Sequence, residues 1–90
     1  MINSLTRTNY VAPKYPRAAI LRELSGSVDV GFTVSINGTV TDVAVLRAEE
    51  GKTFNRAAIR AVEKWRFEPV IENGVAVEKR TVVRLLFDMK

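Results

Sequence analysis

Ser27-Val28-Asp29-Val30-Gly31-Phe32-Thr33-Val34-Ser35-Ile36, followed by Asn37-Gly38, decides how this chain is read. Val28, Val30, Phe32, Val34 and Ile36 alternate with polar or small residues, the period of a strand with one buried and one wet face. Asn37-Gly38 predicts a two-residue hairpin turn, whose two positions must both accept positive φ. That turn sets Ile36 opposite Thr39, Val34 opposite Thr41, Phe32 opposite Val43 and Val30 opposite Val45. Pattern and turn then agree without a bulge. In this register Val40 and Leu46 fall on the wrong face, beside Ser35 and Asp29.

Downstream, Glu49 to Lys52 reads as a loop and Thr53 as the N-cap of a helix. Phe54, Ala57, Ala58, Ala61, Val62 and Trp65 fall on one arc of about 140°, with Arg56, Arg60, Glu63 and Lys64 opposite. The alanines let the helix lie close on a sheet, and Phe54 and Trp65 anchor its ends. Pro69 ends the helical run. Asn73-Gly74 is a second turn signal, between Val70-Ile71 and Val75-Ala76-Val77. Thr81 to Met89 is the last strand, with Val83, Leu85, Phe87 and Met89 on its inner row and Val82, Arg84, Leu86 and Asp88 on its outer row.

Upstream, Pro13-Lys14-Tyr15-Pro16 leads into a short helix over Arg17 to Leu24, with Ile20, Leu21 and Leu24 on one side and Gly26 as its stop. Residues 1–12 read as a linker end or flexible tail, and residues 13–90 as the domain. The order is helix, strand, strand, helix, strand. That is an α+β two-layer sandwich: a three-stranded antiparallel sheet packed on one long helix, plus a short N-terminal helix.

Ninety residues make one small domain or part of a longer chain. The absence of cysteine and histidine excludes disulfides, thiolate chemistry, Cys/His metal sites and His-based triads. The carboxylates show no motif spacing and the glycines form no phosphate loop, so neither an enzyme nor a cofactor, metal or small-molecule substrate is expected. Lys and Arg number 14 against 10 acids, net +4, but they are scattered through the chain, as on a solvated surface. Nucleic-acid binding is disfavoured. The wet row of the first strand has no aromatic to stack on a base, and Glu63 interrupts the Arg56, Arg60, Lys64 stripe. No apolar run approaches the roughly 20 residues that span a bilayer, and no signal peptide is visible. The chain reads as soluble, with any membrane anchor outside it.

The remaining functional candidate is the final strand. A three-stranded open sheet has two edges, and an edge presents unpaired N–H and C=O groups. Thr81 to Phe87 has no proline and one charge, Arg84, while Val82 and Leu86 add apolar surface. At an edge, this strand could accept a partner's extended segment by β-augmentation. Alternatively, Met1 to Tyr15 folds back over Val82 and Leu86.

Tyr15-Pro16 with Ala19, Gly26-x-Val28-x-Val30-x-Phe32-x-Val34, Gly38-x-Val40 with Val43 and Val45, Phe54 with Ala57, Ala58 and Ala61, and Trp65-Arg66-Phe67-Glu68-Pro69 together resemble the TonB C-terminal domain family. The resemblance spans about residues 13–87. It implies a periplasmic energy transducer of Gram-negative bacteria. An N-terminal helix, absent from this chain, anchors it in the inner membrane and joins the ExbB–ExbD complex, and a Pro-rich spacer precedes the domain. The resemblance further implies capture of the TonB box of outer-membrane transporters, with force transmitted for siderophore or cobalamin uptake. The receiving strand would be Thr81, Val82, Val83, Arg84, Leu85, Leu86 and Phe87. Ala12, Pro13, Lys14, Tyr15 and Pro16 would lie near the receptor. Phe54, Trp65, Phe67 and Pro69 would be the structural signature, packing at the helix ends; Tyr15-Pro16 could equally be only a helix start. Two positions depart from the family: Ala12, where glutamine is frequent, and Asn55, where an acid is frequent. Other readings are a TolA-like scaffold, a sensor-protein tail, or a small nucleic-acid module. The same edge could also pair two copies into a homodimer.

Overall fold

The computed structural model describes residues 5–88. In chain order its elements are β1 (Arg7–Asn9), α1 (Arg17–Leu21), β2 (Gly26–Val34), β3 (Val40–Ala48), α2 (Asn55–Glu63), β4 (Arg66–Phe67), β5 (Val70–Glu72), β6 (Val75–Val77) and β7 (Lys79–Phe87). The main sheet is antiparallel in the order β3-β2-β7. The expected three-stranded sheet with its long and short helices is present. Two small pairings, β1 with β4 and β5 with β6, are added to it.

β2 is central, and Val28, Val30, Phe32 and Val34 of its apolar row are fully enclosed, whereas Ile36, expected in the same row, falls in the hairpin loop beyond the strand and is 58% exposed. α2 covers this face. Phe54, Ala58, Ala61, Val62 and Trp65 are buried and Ala57 is half-buried, while Arg56, Arg60, Glu63 and Lys64 are exposed. The amphipathic face read from spacing is therefore the packed face. Phe54 itself occupies the N-cap position and no side chain caps the helix, so Thr53 does not play that part. A turn through residues 51–54 leads in instead.

Aromatic rings close both ends of the helix. At one end Phe54 stacks on Phe87 (centroids 4.4 Å, 17°), and Tyr15 meets both rings edge-on at 5.5 and 5.8 Å. At the other, Phe32 lies between Trp65 (6.1 Å) and Phe67 (5.7 Å). Such pairs add about 0.5–1.5 kcal/mol each beyond the area they bury.

The β2–β3 hairpin corrects the expected register. Ser35 N–H donates to the Thr39 carbonyl at 2.8 Å and Gly38 N–H to the Ser35 carbonyl at 2.9 Å, so three residues, Ile36 to Gly38, form the loop. Only Gly38 has positive φ (+87°). This is the turn-plus-bulge form rather than the two-residue form. Val34 consequently faces Val40, not Thr41. The register then shifts twice, and only the pairing of Val30 with Val45 stands as expected. At the first shift Asp42 takes positive φ (51°); at the second Leu46 is the extra residue. These bulges remove the inconsistency noted in the sequence. Val40, Val43, Val45 and Ala48 all pack on the core, and Leu46 is left outside, 57% exposed. Asn73 and Gly74, by contrast, both have positive φ (53° and 79°) and join β5 to β6 as a two-residue turn, at the place of the second turn signal.

α1 is shorter than expected. Glu23, at φ 54°, ends it in a Schellman arrangement, with Glu23 N–H on the Ile20 carbonyl and Leu24 N–H on that of Ala19. Gly26 is already in β2. Five helical residues can turn little surface inward, so Ala19 is buried while Ile20 and Leu21 stay exposed.

Residues 6–11 are tied to the domain rather than forming a tail. β1 pairs with β4, Glu68 N–H donates to the Thr6 carbonyl at 2.9 Å, and Trp65 Nε1 donates to the Val11 carbonyl at 2.9 Å. The Arg7 guanidinium lies over the rings of Tyr10 (4.3 Å) and Trp65 (4.5 Å). Residues 1–4 of the expected tail, and Met89 of the expected inner row, lie outside the described residues.

The hairpin tip is clasped to the segment after α2: Phe67 N–H donates to the Gly38 carbonyl at 2.9 Å, and a Cβ on Gly38 would stand 2.1 Å from the Phe67 oxygen. Gly74 has the same backbone conformation with nothing within 4 Å of a Cβ. Gly74→Ala should therefore cost about 1–2 kcal/mol, the left-handed penalty alone. Gly38→Ala should cost clearly more, because the backbone clash is added. Urea midpoints of the two variants measure the difference, and equal midpoints would refute the clasp.

Candidate strand-docking edge

The two edges of the main sheet are built differently. β3 carries both bulges, and bulges bend an edge and interrupt its ladder. β7 pairs with β2 through nine successive residues, from Gly26 opposite Phe87 to Val34 opposite Lys79, without a register shift. Among the described residues no strand pairs with the other flank of β7. An uninterrupted row of backbone donors and acceptors is thus open along one side of Lys79–Phe87.

Side chains of β7 alternate as the sequence suggested. Leu85 and Phe87 are buried and Val83 is half-buried on the helix side, while Val82 and Leu86 are 56% and 72% exposed on the other. Residues 5–15 do not cover these two. Residues 7–9 pair with β4, and Tyr15 packs on the helix side of the sheet.

The wet face is less open than its composition suggested. Arg84 lies directly opposite Asp29 and grips its carboxylate with two hydrogen bonds, Nε to Oδ1 at 2.8 Å and Nη2 to Oδ2 at 3.2 Å. Arg80, opposite Thr33, donates from Nη1 to Thr33 Oγ1 at 3.1 Å and on to the Asp42 carbonyl at 2.7 Å. One guanidinium thereby reaches from β7 across β2 to the bulged residue of β3. Thr33 and Gly31 are buried beneath it. Both arginines are turned inward over β2, which leaves Val82 and Leu86 as the outward apolar contacts. Sequence reasoning missed Asp29 and Arg80 because their meaning lies in cross-strand register. Nothing local marks Arg80 as the partner of a residue 47 positions away.

The residues expected near a partner divide into two groups. Tyr15 reaches the C-terminal end of β7 through Phe87, and its hydroxyl donates to the Leu24 carbonyl. Ala12, Pro13, Lys14 and Pro16 lie instead along α2. Of the signature residues, Phe54, Trp65 and Phe67 are core, and Pro69 is exposed between β4 and β5. Among the described residues no cluster of acids gathers with metal-site geometry, and no helix is long and apolar enough to cross a membrane.

Comparison with known proteins points one way. The family described as Gram-negative bacterial TonB protein C-terminal matches residues 11–89. The TonB protein of Pseudomonas aeruginosa is 35% identical over 78 residues, covering 87% of this chain and 23% of that protein. That of Xanthomonas campestris is 34% identical over 83 residues, covering 92% and 37%. The solution structure of the Pseudomonas aeruginosa TonB C-terminal domain superposes with a TM-score of 0.83 at 30% identity, over 99% of this chain and 90% of that one. A TonB2 protein of Vibrio anguillarum gives 0.67 at 28% identity, over 100% and 92%. The chain thus spans about a quarter to a third of the length of these curated relatives.

Hydrogen bonds from Arg84 hold the Asp29 carboxyl below the usual carboxylate range, against some loss of hydration and helped by the charges of Arg84 and Arg47. A lowered folded value means that the pair stabilises the fold above the unfolded carboxylate pKa of about 3.9, and that this contribution fades as pH falls through the folded value. A carboxyl-carbon NMR titration should find Asp29 low in the native protein and near the ordinary value in Arg84→Ala. An Asp29 midpoint unmoved by that substitution would exclude the pairing in solution.

Proposed function

The chain belongs to the family of C-terminal domains of Gram-negative TonB proteins, and from that membership we propose that it is an adaptor that captures an extended segment along β7. Its family is one of non-enzymatic energy transducers, and the chain is not an enzyme. The segment captured is the TonB box of outer-membrane transporters. It adds as a fourth strand beside Thr81, Val82, Val83, Arg84, Leu85, Leu86 and Phe87. The domain works in the periplasm, and parts of the protein beyond this chain anchor it in the inner membrane and connect it to ExbB–ExbD. Force passed through the added strand opens the transporter for siderophore- or cobalamin-type cargo.

One observation carries this reading: the unbulged, proline-free outer flank of β7, with which no strand among the described residues pairs. Main-chain pairing supplies most of the recognition in strand addition, so one edge can serve partners of differing side chains. Val82 and Leu86 give the newcomer apolar contacts on the outer face. Tyr15 supports the site indirectly by bracing Phe87.

In an antiparallel ladder successive N–H groups point to opposite flanks. Proline scanning along Thr81–Phe87 should therefore give two classes. Where the N–H serves β2, proline should unfold the domain. Where it points outward, proline should leave the fold intact and abolish binding of a TonB-box peptide. In the native protein, NMR titration with that peptide should shift the amides of Thr81–Phe87 first. Binding that survives every fold-neutral proline, or first shifts confined elsewhere, would defeat the proposal.

A further inference from the structure

A second surface, apart from β7, lies along the flank of α2 where its packed arc meets its basic face. Residues 11–16 run beside the helix, and a groove of about 500 Å³ lies between them. Val11, Pro13, Pro16, Ala57 and Ala61 supply its apolar lining, and Lys14, Lys52, Arg56, Arg60 and Lys64 its charged lining; no acidic side chain lines it. Arg56, Arg60 and the C-cap Lys64 recur every four residues, the spacing that places like charges over one another on a helix, where they repel; Lys52 adds a further cation from the turn before it. The ion pairs among the described residues are Lys79–Glu72 and Arg84–Asp29, so none of the five groove cations is neutralised. Glu63, which the sequence suggested would interrupt the stripe, does not line this groove; it lines a neighbouring hollow together with Asn55, Ile59 and three of the same cations, Lys52, Arg56 and Arg60, without an ion pair to any of them.

We propose that this groove docks an acidic, partly apolar, extended peptide segment of a partner protein. Five cations lining one groove with no acid in its walls call for an anionic occupant. The small apolar residues between them accept methyl-bearing side chains, and an apolar centre with a charged rim is the anatomy of a protein interface. The lining contains no aromatic ring on which a nucleic-acid base could stack. Its concave form also differs from the projecting apolar face that enters a lipid surface. The groove stands apart from the edge strand: it runs along the flank of α2 where the packed arc, at Ala57 and Ala61, meets the basic face, and no residue of β7 lines it. Either site can therefore fail without the other.

The test uses the whole 90-residue chain and a short fluorescein-labelled peptide alternating glutamate with leucine and proline, beside a twin carrying glutamine for glutamate. Amide shifts should map to residues 11–16 and 52–64 and leave Thr81–Phe87 unmoved. Anisotropy should show affinity falling as salt rises and little binding of the glutamine twin. The exposed double substitution Arg56→Gln with Arg60→Gln should weaken binding about tenfold. If that variant loses its native amide spectrum, Lys14→Gln with Lys64→Gln takes its place. Equal binding of both peptides, undiminished affinity in the folded variant, or shifts on β7 alone would overturn the proposal. So would tighter binding of duplex DNA or of phosphatidylglycerol vesicles than of the acidic peptide.

Discussion

Nine helical residues rise about 13–14 Å, whereas nine strand residues run about 30 Å. α2 and β2 each have nine residues, so the helix can roof less than half the length of the strand it must protect. The rest is covered by rings. Phe54, Phe87 and Tyr15 close one end, and Trp65, Phe67 and Phe32 the other. The alanines between them hold the helix low enough for the rings to reach the sheet. This also explains why residues 6–11 are drawn in. Trp65 must place its indole N–H on an acceptor once buried, and the Val11 carbonyl is that acceptor.

With one helical layer, the other face of the sheet must manage without a cover. Arginine side chains take on part of that task. Arg80 and Arg84 lie across β2 and hide Thr33 and part of Asp29, using their hydrocarbon stems as roof and their guanidinium groups as tethers. The bulge at Asp42 turns a carbonyl toward Arg80 and spoils β3 as a pairing edge. The two rims of the sheet thereby become unequal, and β7 keeps a regular ladder that no strand among the described residues pairs on its outer side.

Features repeated over many residues were readable in the sequence. The alternation of β2 and the apolar arc of α2 each involve five or six side chains saying the same thing, and all but Ile36, which the hairpin loop leaves exposed, pack into the core. The resemblance in Tyr15-Pro16 through Trp65-Arg66-Phe67-Glu68-Pro69 likewise rested on an ordered set and led to the right family. What escaped depends on one residue or on distant partners. Asn-Gly occurs at both turns, yet Gly38 is held against Phe67 and forms the three-residue loop, while Asn73-Gly74 is unconstrained and forms the two-residue one. Glu23 in a left-handed conformation ends α1 where glycine would have been expected. β1 has no periodicity because its three side chains are all exposed, and its place is set by main-chain bonds to residues near 66. The edge position of β7 followed only once the strand order was known, since its composition suits a covered strand equally well.

The unbroken register between β2 and β7 has a mechanical corollary. A ribbon laid along the free side of β7 and drawn lengthwise strains all its rungs together, in shear, so that no single rung bears the load alone. Drawn sideways, the same ribbon opens like a zipper, one rung after another, at a far smaller pull. The bulged rim of β3 could never offer the first geometry over a comparable length. A junction made on β7 is therefore strong along one axis and easily released across it.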